Sequence, residues 1–412
     1  MGPELSIIVP THNRSKSLDR CLKSLEITFH DEIERLEVLV VLNNCSDNSA
    51  QVARKYGFVR TIESTSTSFS LARNQGAEAA FADLLAFIDD DTTTERSFLD
   101  QVVKVFENPE VGMIAGRIEP QFEVPPPLWV IRLQDRRNGL SLFSPNPPIE
   151  FESHPSEAFE VGGACGPLLI VRKRVLVEAG GFPADTLGVE SDDGEIGFTK
   201  LYVGPGDFGL SKECIELGYR VMYSPEVMLW HHIPEIRLRP EFWGARFFGE
   251  GMFKAQWIIH EREKRKESRT ARELFRYRLL RGYGYRRPGE PSHIDTDLAE
   301  LLGQLATTVI LKRQSDLARK IWAFAETGLV KSDLPLMMSN PAFRAFLEIA
   351  NHDWSSFSHP RWLSYVQRTF IRALVTDWRG YKLVGLLTSI SVFRVLTRIP
   401  LFRWNLRSTA SH

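Results

Sequence analysis

The stretch LLAFIDDDT, residues 84–92, joins five apolar residues to three consecutive aspartates. An uninterrupted apolar run of that length reads as a strand buried on both faces. Three carboxylates at its end repel one another unless they are solvated, hydrogen-bonded or neutralised by a metal. A divalent ion is the sharper reading. The plainer one is an acidic turn that favours the N-terminus of a following helix, expected over residues 95–106.

Upstream of this stretch the chain alternates between two kinds of segment. Residues 5–10 (LSIIVP) form an apolar run bounded by Pro10, then comes the polar turn THNRS. A helix over residues 16–28 follows, with Leu18, Cys21, Leu22 and Leu25 at the spacing of an amphipathic stripe. Residues 36–42 (LEVLVVL) make a second buried strand, NNCSDNS its loop, and residues 50–56 a short helix. Residues 59–63 give a third strand, and the alanine-rich residues 69–82 are helical by propensity. Such alternation predicts an α/β fold with a parallel, doubly wound sheet. Ligands of these sheets sit beyond the carboxyl ends of the strands. The loops at residues 11–15, 43–49 and 89–92 all fall at that edge, so they can form one site.

No GxGxxG follows the first strand and no GxxxxGK[ST] occurs, so neither the dinucleotide fingerprint nor the P-loop accounts for this site. Phosphate must be held another way. A metal on the aspartates is one, and Arg73, at the head of its helix in SFSLARNQG, is a second cation.

Taken in order, IIVPTHNR, VLNNCSDNS, SFSLARNQGAEAA and LLAFIDDDT resemble the nucleotide-binding half of the family 2 glycosyltransferases. The fold of that family is the GT-A type, a Rossmann-like, mostly parallel sheet flanked by helices. The resemblance implies a donor site built from Pro10, Thr11, Asn13 and Arg14, with Arg73 helping to hold the nucleotide. Asn43 stands where an acid commonly reads the base, which leaves uracil and other bases open. Asp89 and Asp91 match the DxD acids. Asp91 is then the metal ligand, Asp89 a ribose or metal contact, and Asp90 a donor-side residue between them. The implied cofactor is Mn²⁺ or Mg²⁺, and the implied donor is a nucleotide sugar.

Beyond the aspartates, residues 111–118 (VGMIAGRI) read as another strand, and the proline-rich residues 120–148 as a long irregular loop or lid. Residues 168–171 give a strand, followed by a helix ending at the Gly180–Gly181 pair in a C-cap arrangement. In VGPGDFGLSKECIELGYRVMYSPEVMLWHH, Asp207 is at the place of the acceptor-side acid of the resembled family, although Gly206 replaces a glutamate usual there. A single-displacement sugar transfer needs one carboxylate to take the acceptor's hydroxyl proton, worth about 10²- to 10⁴-fold in rate. The competing reading makes Asp207 the N-cap of a helix over residues 210–217. His231 and His232 follow an apolar strand, and the resemblance places a histidine, taken as His231, near the metal and diphosphate. Arg237 and Arg239 are further phosphate candidates.

The 412 residues carry 51 basic and 52 acidic side chains, the balance of an ordinary globular protein with no overall nucleic-acid signal. Four cysteines without CxxC spacing argue against a zinc site or a disulfide framework, and fit a reducing compartment. The chain reaches its first apolar run too early for a signal peptide. The expected organisation is a catalytic domain over residues 1–260, with a nucleotide half at 1–118 and an acceptor half at 119–260, and a helical extension at 261–412. Residues 258–287 mix arginines with aromatics in a pattern that can serve RNA, but a solvated helix with packed rings is the expectation. From residue 355 to the end there are nine Lys or Arg against the single acid Asp377. The apolar run at residues 383–393 is about half the length needed to span a bilayer. Flanked by Lys382, Arg394 and Arg398, it either lies on an anionic membrane surface or packs on the catalytic domain.

The function expected is an inverting, metal-assisted transfer of sugar from a nucleotide sugar to a saccharide or lipid-linked acceptor, in the cytoplasm or peripherally at the inner face of the cell membrane. The alternatives are a silent nucleotide-sugar or glycan-binding protein and a nucleotidyltransferase of similar fold.

Overall fold

In the computed structural model, residues 2–66, 68–132, 158–164, 166–183 and 206–239 are described, with a few positions between 242 and 251. Two units are distinguished, one of residues 1–190 and 202–239, the other of residues 191–201 and 240–412. The expected lid beyond residue 132, the basic segment at residues 258–287 and the C-terminal extension lie outside the described residues. In the second unit, Trp243 and Phe247 stack with ring centroids 5.9 Å apart.

The first unit begins with the expected alternation. β1 (Leu5–Thr11), α1 (Ser15–Thr28), β2 (Leu36–Asn43), α2 (Ser49–Ala53), β3 (Val59–Ser64), α3 (Phe69–Ala79) and β4 (Leu84–Ile88) follow one another, with a 3-10 turn at His30–Arg35 before β2. Then come β5 (Thr92–Thr93), α4 (Leu99–Val105), β6 (Val111–Phe122), α5 (Leu128–Arg132), β7 (Phe159–Glu160), β8 (Leu168–Arg172), α6 (Lys173–Glu178), α7 (Gly206–Glu216) and β9 (Arg220–Ile233). Every residue of β1 is buried, and so are both faces of β2 beyond its second residue, so helices must cover the sheet on both sides. One face, carrying Ile8, Leu39, Val41 and Phe87, packs with Ala72 of α3, Val175 of α6 and Leu210 of α7. The stripe Leu18, Cys21, Leu22 and Leu25 of α1 is buried as its spacing predicts.

The strands form one sheet in the order β3-β2-β1-β4-β8-β6-β9-β5, with β7 paired to β9. Parallel ladders join β3, β2, β1 and β4, and again β6 and β9. β8 lies antiparallel between β4 and β6 and knits the two parallel parts together. The result is a mixed α/β architecture with a mostly parallel sheet.

Several boundaries differ from the sequence expectation. Residues 120–122, expected in an irregular loop, extend β6 because they pair with His231, His232 and Ile233 of β9. The helix after the aspartates starts at Leu99, not residue 95: Thr92 and Thr93 are held in extended pairing with β9, and Thr94 is fixed through its hydroxyl to the Arg96 carbonyl. The Gly180–Gly181 cap is present as expected. Both glycines have φ near +80°, and their amides return to the carbonyls of Val177 and Leu176, which closes the end of α6.

Candidate functional site

The carboxyl ends of β1, β2 and β4 bring the three polar loops together, and two side chains lace the first loop to the second. Asn13, in the left-handed region at φ 52°, accepts hydrogen bonds from the amides of Ser46 and Asp47 through Oδ1. Asp47 replies from the other side, accepting from the Ser15 amide with Oδ2 and from the Ser49 amide with Oδ1. These amides open α1 and α2, where no N-cap side chain bonds its own helix. One carboxylate thus serves two helix N-termini; desolvation acts upward on it, but its hydrogen bonds to Ser49 and Ser15 hold it below the usual carboxylate range. His12 Nδ1 lies 2.6 Å from the Asn43 carbonyl, and Asn43 Nδ2 donates to the Ser68 carbonyl. Asn43 Oδ1 is buried and unpartnered. Pro10 lies within β1, in register with Val41.

Each aspartate of the run meets a different surrounding. Asp89 Oδ1 accepts from Arg73 Nη2 at 3.2 Å, and the Asp89 carbonyl holds the Thr92 hydroxyl. Asp90 is 3% exposed and does not point away: Oδ2 accepts from the Thr11 hydroxyl at 2.6 Å, and Oδ1 pairs with Arg14 Nη1 at 2.8 Å. Burial, joined by repulsion from Asp91 and opposed by Arg14, pushes its carboxyl up to about 7. Asp91 is 2% exposed, and its Oδ2 accepts from Arg14 Nη2 at 2.8 Å and from Arg237 Nη2 at 3.1 Å. Burial acts upward on Asp91, but the guanidinium groups of Arg14 and Arg237 hold it well below the usual range.

His231 is buried at the end of β9, with Nε2 3.4 Å from Asp91 Oδ1 and 2.9 Å from Arg237 Nη1. A guanidinium only donates, so in the shorter contact Nε2 presents its lone pair. The same nitrogen cannot also donate to Asp91, and Asp91 Oδ1 is buried with no hydrogen-bond partner. Asp91 Oδ1, an acceptor without a partner, and Nε2, whose lone pair is held by Arg237, therefore stand 3.4 Å apart across one small volume. That is the chemistry of a cation position. Among the described residues no three His, Cys, Asp or Glu converge. A two-ligand protein set still suits Mg²⁺ or Mn²⁺, which take one or two carboxylates and complete their shell with substrate phosphates and water. The residues thus fit a divalent ion held by Asp91 and His231.

Arg73 connects this cluster to the loop before β8. It is 5% exposed, packs over the rings of Phe69 and Phe182 at 4.7 and 5.2 Å, and donates to the Gly166 carbonyl. A Cβ on Gly166 would lie 3.1 Å from Arg73 Nη2 and 3.2 Å from Asp207 Oδ2, so the glycine lets both charged groups approach one stretch of backbone. Asp207 sits in the first turn of α7, which begins at Gly206 and not near residue 210. It is inside the helix, so the N-cap reading is set aside by where the helix starts. Ser211, one turn on, accepts from the Ala164 amide and donates to the Asp207 carbonyl, tying the loop before β8 to that turn.

The expected residues Thr11, Arg14, Arg73, Asp89, Asp90, Asp91 and His231 thus stand in one connected cluster, with Asn13 and Asn43 in the loops that frame it. His232, next on the strand, is half-buried, and its amide donates to the Asp91 carbonyl. The sequence named Arg237 only as a phosphate candidate, and gave no reason to place it on Asp91. Asp47 was missed altogether. Its Ser-Asp-Asn-Ser setting is a helix-start signal, but that it caps the other helix as well is a tertiary fact.

The site is thus an acidic run beside a buried histidine at the carboxyl edge of an α/β sheet. Residues 6–179 match the model of Glycosyl transferase family 2. Curated relatives agree. The chain is 27% identical to glycosyltransferase AglE of Haloferax volcanii over 122 residues, 28% of this chain and 40% of that protein. It is 21% identical to a glucosyl-dolichyl phosphate glucuronosyltransferase of the same organism over 263 residues, 61% of this chain and 76% of that one. It is 27% identical to the pre-mycofactocin glycosyltransferase of Mycobacterium tuberculosis over 253 residues, 59% of this chain and 46% of the relative. The matches to AglE and to the mycobacterial protein thus span under half of those proteins. Among solved structures, the mannosyltransferase PcManGT of Pyrobaculum calidifontis, in complex with GDP-Man and Mn²⁺, has a TM-score of 0.45 at 16% identity, covering 85% of this chain and 87% of that one.

Proposed function

We propose that this chain is an inverting glycosyltransferase that moves a sugar from a nucleotide-sugar donor to a saccharide or lipid-linked acceptor, assisted by a divalent ion. The convergence of Asp91 Oδ1 and His231 Nε2, both buried, carries the reading. A divalent ion held there would act as Lewis acid toward the leaving diphosphate. Arg14 and Arg237 stand beside the same carboxylate, placed to meet the donor's phosphates. Thr11 and Asp90 hold the floor of that region, and Arg73 fixes Asp89 against the acceptor-side loop. Asp207 accepts the proton of the acceptor hydroxyl as its oxygen attacks the sugar carbon from the face opposite the leaving group, which inverts the configuration. No covalent enzyme intermediate is needed.

The likeness to a glucosyl-dolichyl phosphate glucuronosyltransferase supports a lipid-linked acceptor. Among the described residues no helix is long and apolar enough to cross a membrane. The basic end of the sequence supports work at the inner, anionic face of the cell membrane, within polysaccharide biosynthesis. Flotation with anionic liposomes, lost when residues 380–412 are removed, checks this placement.

The central test is release of nucleoside diphosphate from a panel of nucleotide sugars, with and without Mn²⁺, by the protein and its Asp91→Ala and Asp207→Asn variants. Metal-dependent release, lost in both variants while Asp207→Asn still binds donor, is the expected result. Pyrophosphate as the product would overturn the reading in favour of nucleotidyl transfer, and donor binding without turnover across a broad acceptor panel would overturn it in favour of a binding protein.

A further inference from the structure

The three aspartates are already matched by three arginines: Arg73 on Asp89, Arg14 across Asp90 and Asp91, and Arg237 on Asp91. Counted as formal charges, the three carboxylates are matched before any ligand enters. We propose that Arg14 and Arg237 are displaceable counter-ions that compete with the divalent ion for Asp91, and transfer to the donor's diphosphate when metal and nucleotide arrive. This rests on the reading of Asp91 as the metal ligand.

Three observations carry it. Arg14 spans two neighbouring carboxylates with separate nitrogens at 2.8 Å each, and both of those carboxylates are about 3% exposed. Asp91 Oδ2, the oxygen that would join Oδ1 in neutralising a cation, is taken by two guanidinium groups. His231 Nε2, the nitrogen facing the cation position, is taken by Arg237 Nη1 at 2.9 Å. A divalent ion added to this arrangement alone would leave a buried excess of two positive charges, which the interior penalises. A diphosphate brings compensating negative charge and two good acceptors for arginine forks. Arg14 has the freedom to change partners, since its side chain is 40% exposed, whereas Arg73 at 6% is fixed in place. These two counter-ions thus make metal binding weak alone and strong with nucleotide.

The test is Mn²⁺ binding to the full chain, measured by titration calorimetry and by the loss of free-ion EPR signal, with and without nucleoside diphosphate. An opposite charge at hydrogen-bond distance changes a carboxylate's cation affinity by about one to three powers of ten. Arg14→Gln and Arg237→Gln are therefore expected to bind Mn²⁺ about tenfold or more tightly than the parent without nucleotide, and to lose most of the gain that nucleotide confers. Arg14→Lys, which keeps the charge but not the two-pronged bridge, should fall between. Circular dichroism and thermal melts identify any variant that has lost its fold, and the remaining ones decide. Unchanged or weaker Mn²⁺ binding in folded Arg14→Gln and Arg237→Gln overturns the proposal. Mn²⁺ binding that survives Asp91→Asn intact overturns the metal-ligand reading instead, so the two failures are distinct.

Discussion

Gly166 sits between Arg73 and Asp207, and its missing side chain leaves room for both. A methyl group there meets the ends of two charged side chains at slightly less than ordinary contact distance. The Gly166→Ala variant should bind nucleotide nearly as well as the parent but turn over about 10- to 100-fold more slowly, because misplacement by a fraction of an ångström is costly for a reacting group. Steady-state kinetics checks it, with kcat falling and the donor KM little changed. Asp47 acts on structure alone. Its replacement by alanine removes acceptors from the first amides of two helices, and should cost about 1–2 kcal/mol, read from denaturant unfolding. Neither effect was legible in the sequence, because both depend on contacts between segments tens of residues apart, which local spacing does not encode. The residues of the aspartate cluster were legible, since β1, β2 and β4 repeat a strand-loop-helix unit that delivers their loops to one edge.

Among the elements, α3 lies unusually close to the sheet. A Cβ on Gly76 would fall 2.4 Å from Ile8 Cγ2 and 3.1 Å from Val41 Cγ2. Gly76→Ala should therefore destabilise the protein by about 1–3 kcal/mol through overpacking, although alanine is the better helix former. At the opposite end of the strands from the site, Glu37 of β2 accepts from the Ser6 hydroxyl, the Phe81 amide and Arg60, and fastens the turn before β4 to β1 and β2. Desolvation raises its pKa, but these bonds together lower it below the ordinary value. Its stabilisation is then fully present above the unfolded value of about 4.3, and is lost as pH falls through the lower folded value. Glu37→Gln should be less stable than the parent at pH 7, and the gap in denaturant midpoint should close below about pH 4. The strands of the N-terminal half were readable from their apolar runs. β9 was not fully so: its ladder with β6 skips residues between Ser224 and Met228, and that irregularity at Pro225 sets which residues of the strand reach the site. A bulge is a matter of register between two strands, and only the pairing reveals it.

For the molecule as a whole, a charge-matched aspartate-arginine cluster implies that metal and nucleotide bind together more favourably than either does alone. Chelation with EDTA should abolish diphosphate release, and Mn²⁺ or Mg²⁺ should restore it, in an assay of the intact chain. The sheet order has a consequence of a different kind, for the time course of folding. β4 pairs on one side with β1, which precedes it by fewer than 80 residues, but on the other side with β8, which is synthesised only after β5, β6 and β7. Until residue 172 has left the ribosome, the apolar strand that ends in the aspartates has an open edge, the template on which strands of other chains add. Nascent chains stalled before β8 should accordingly aggregate or recruit chaperones, and those extended through β9 should not.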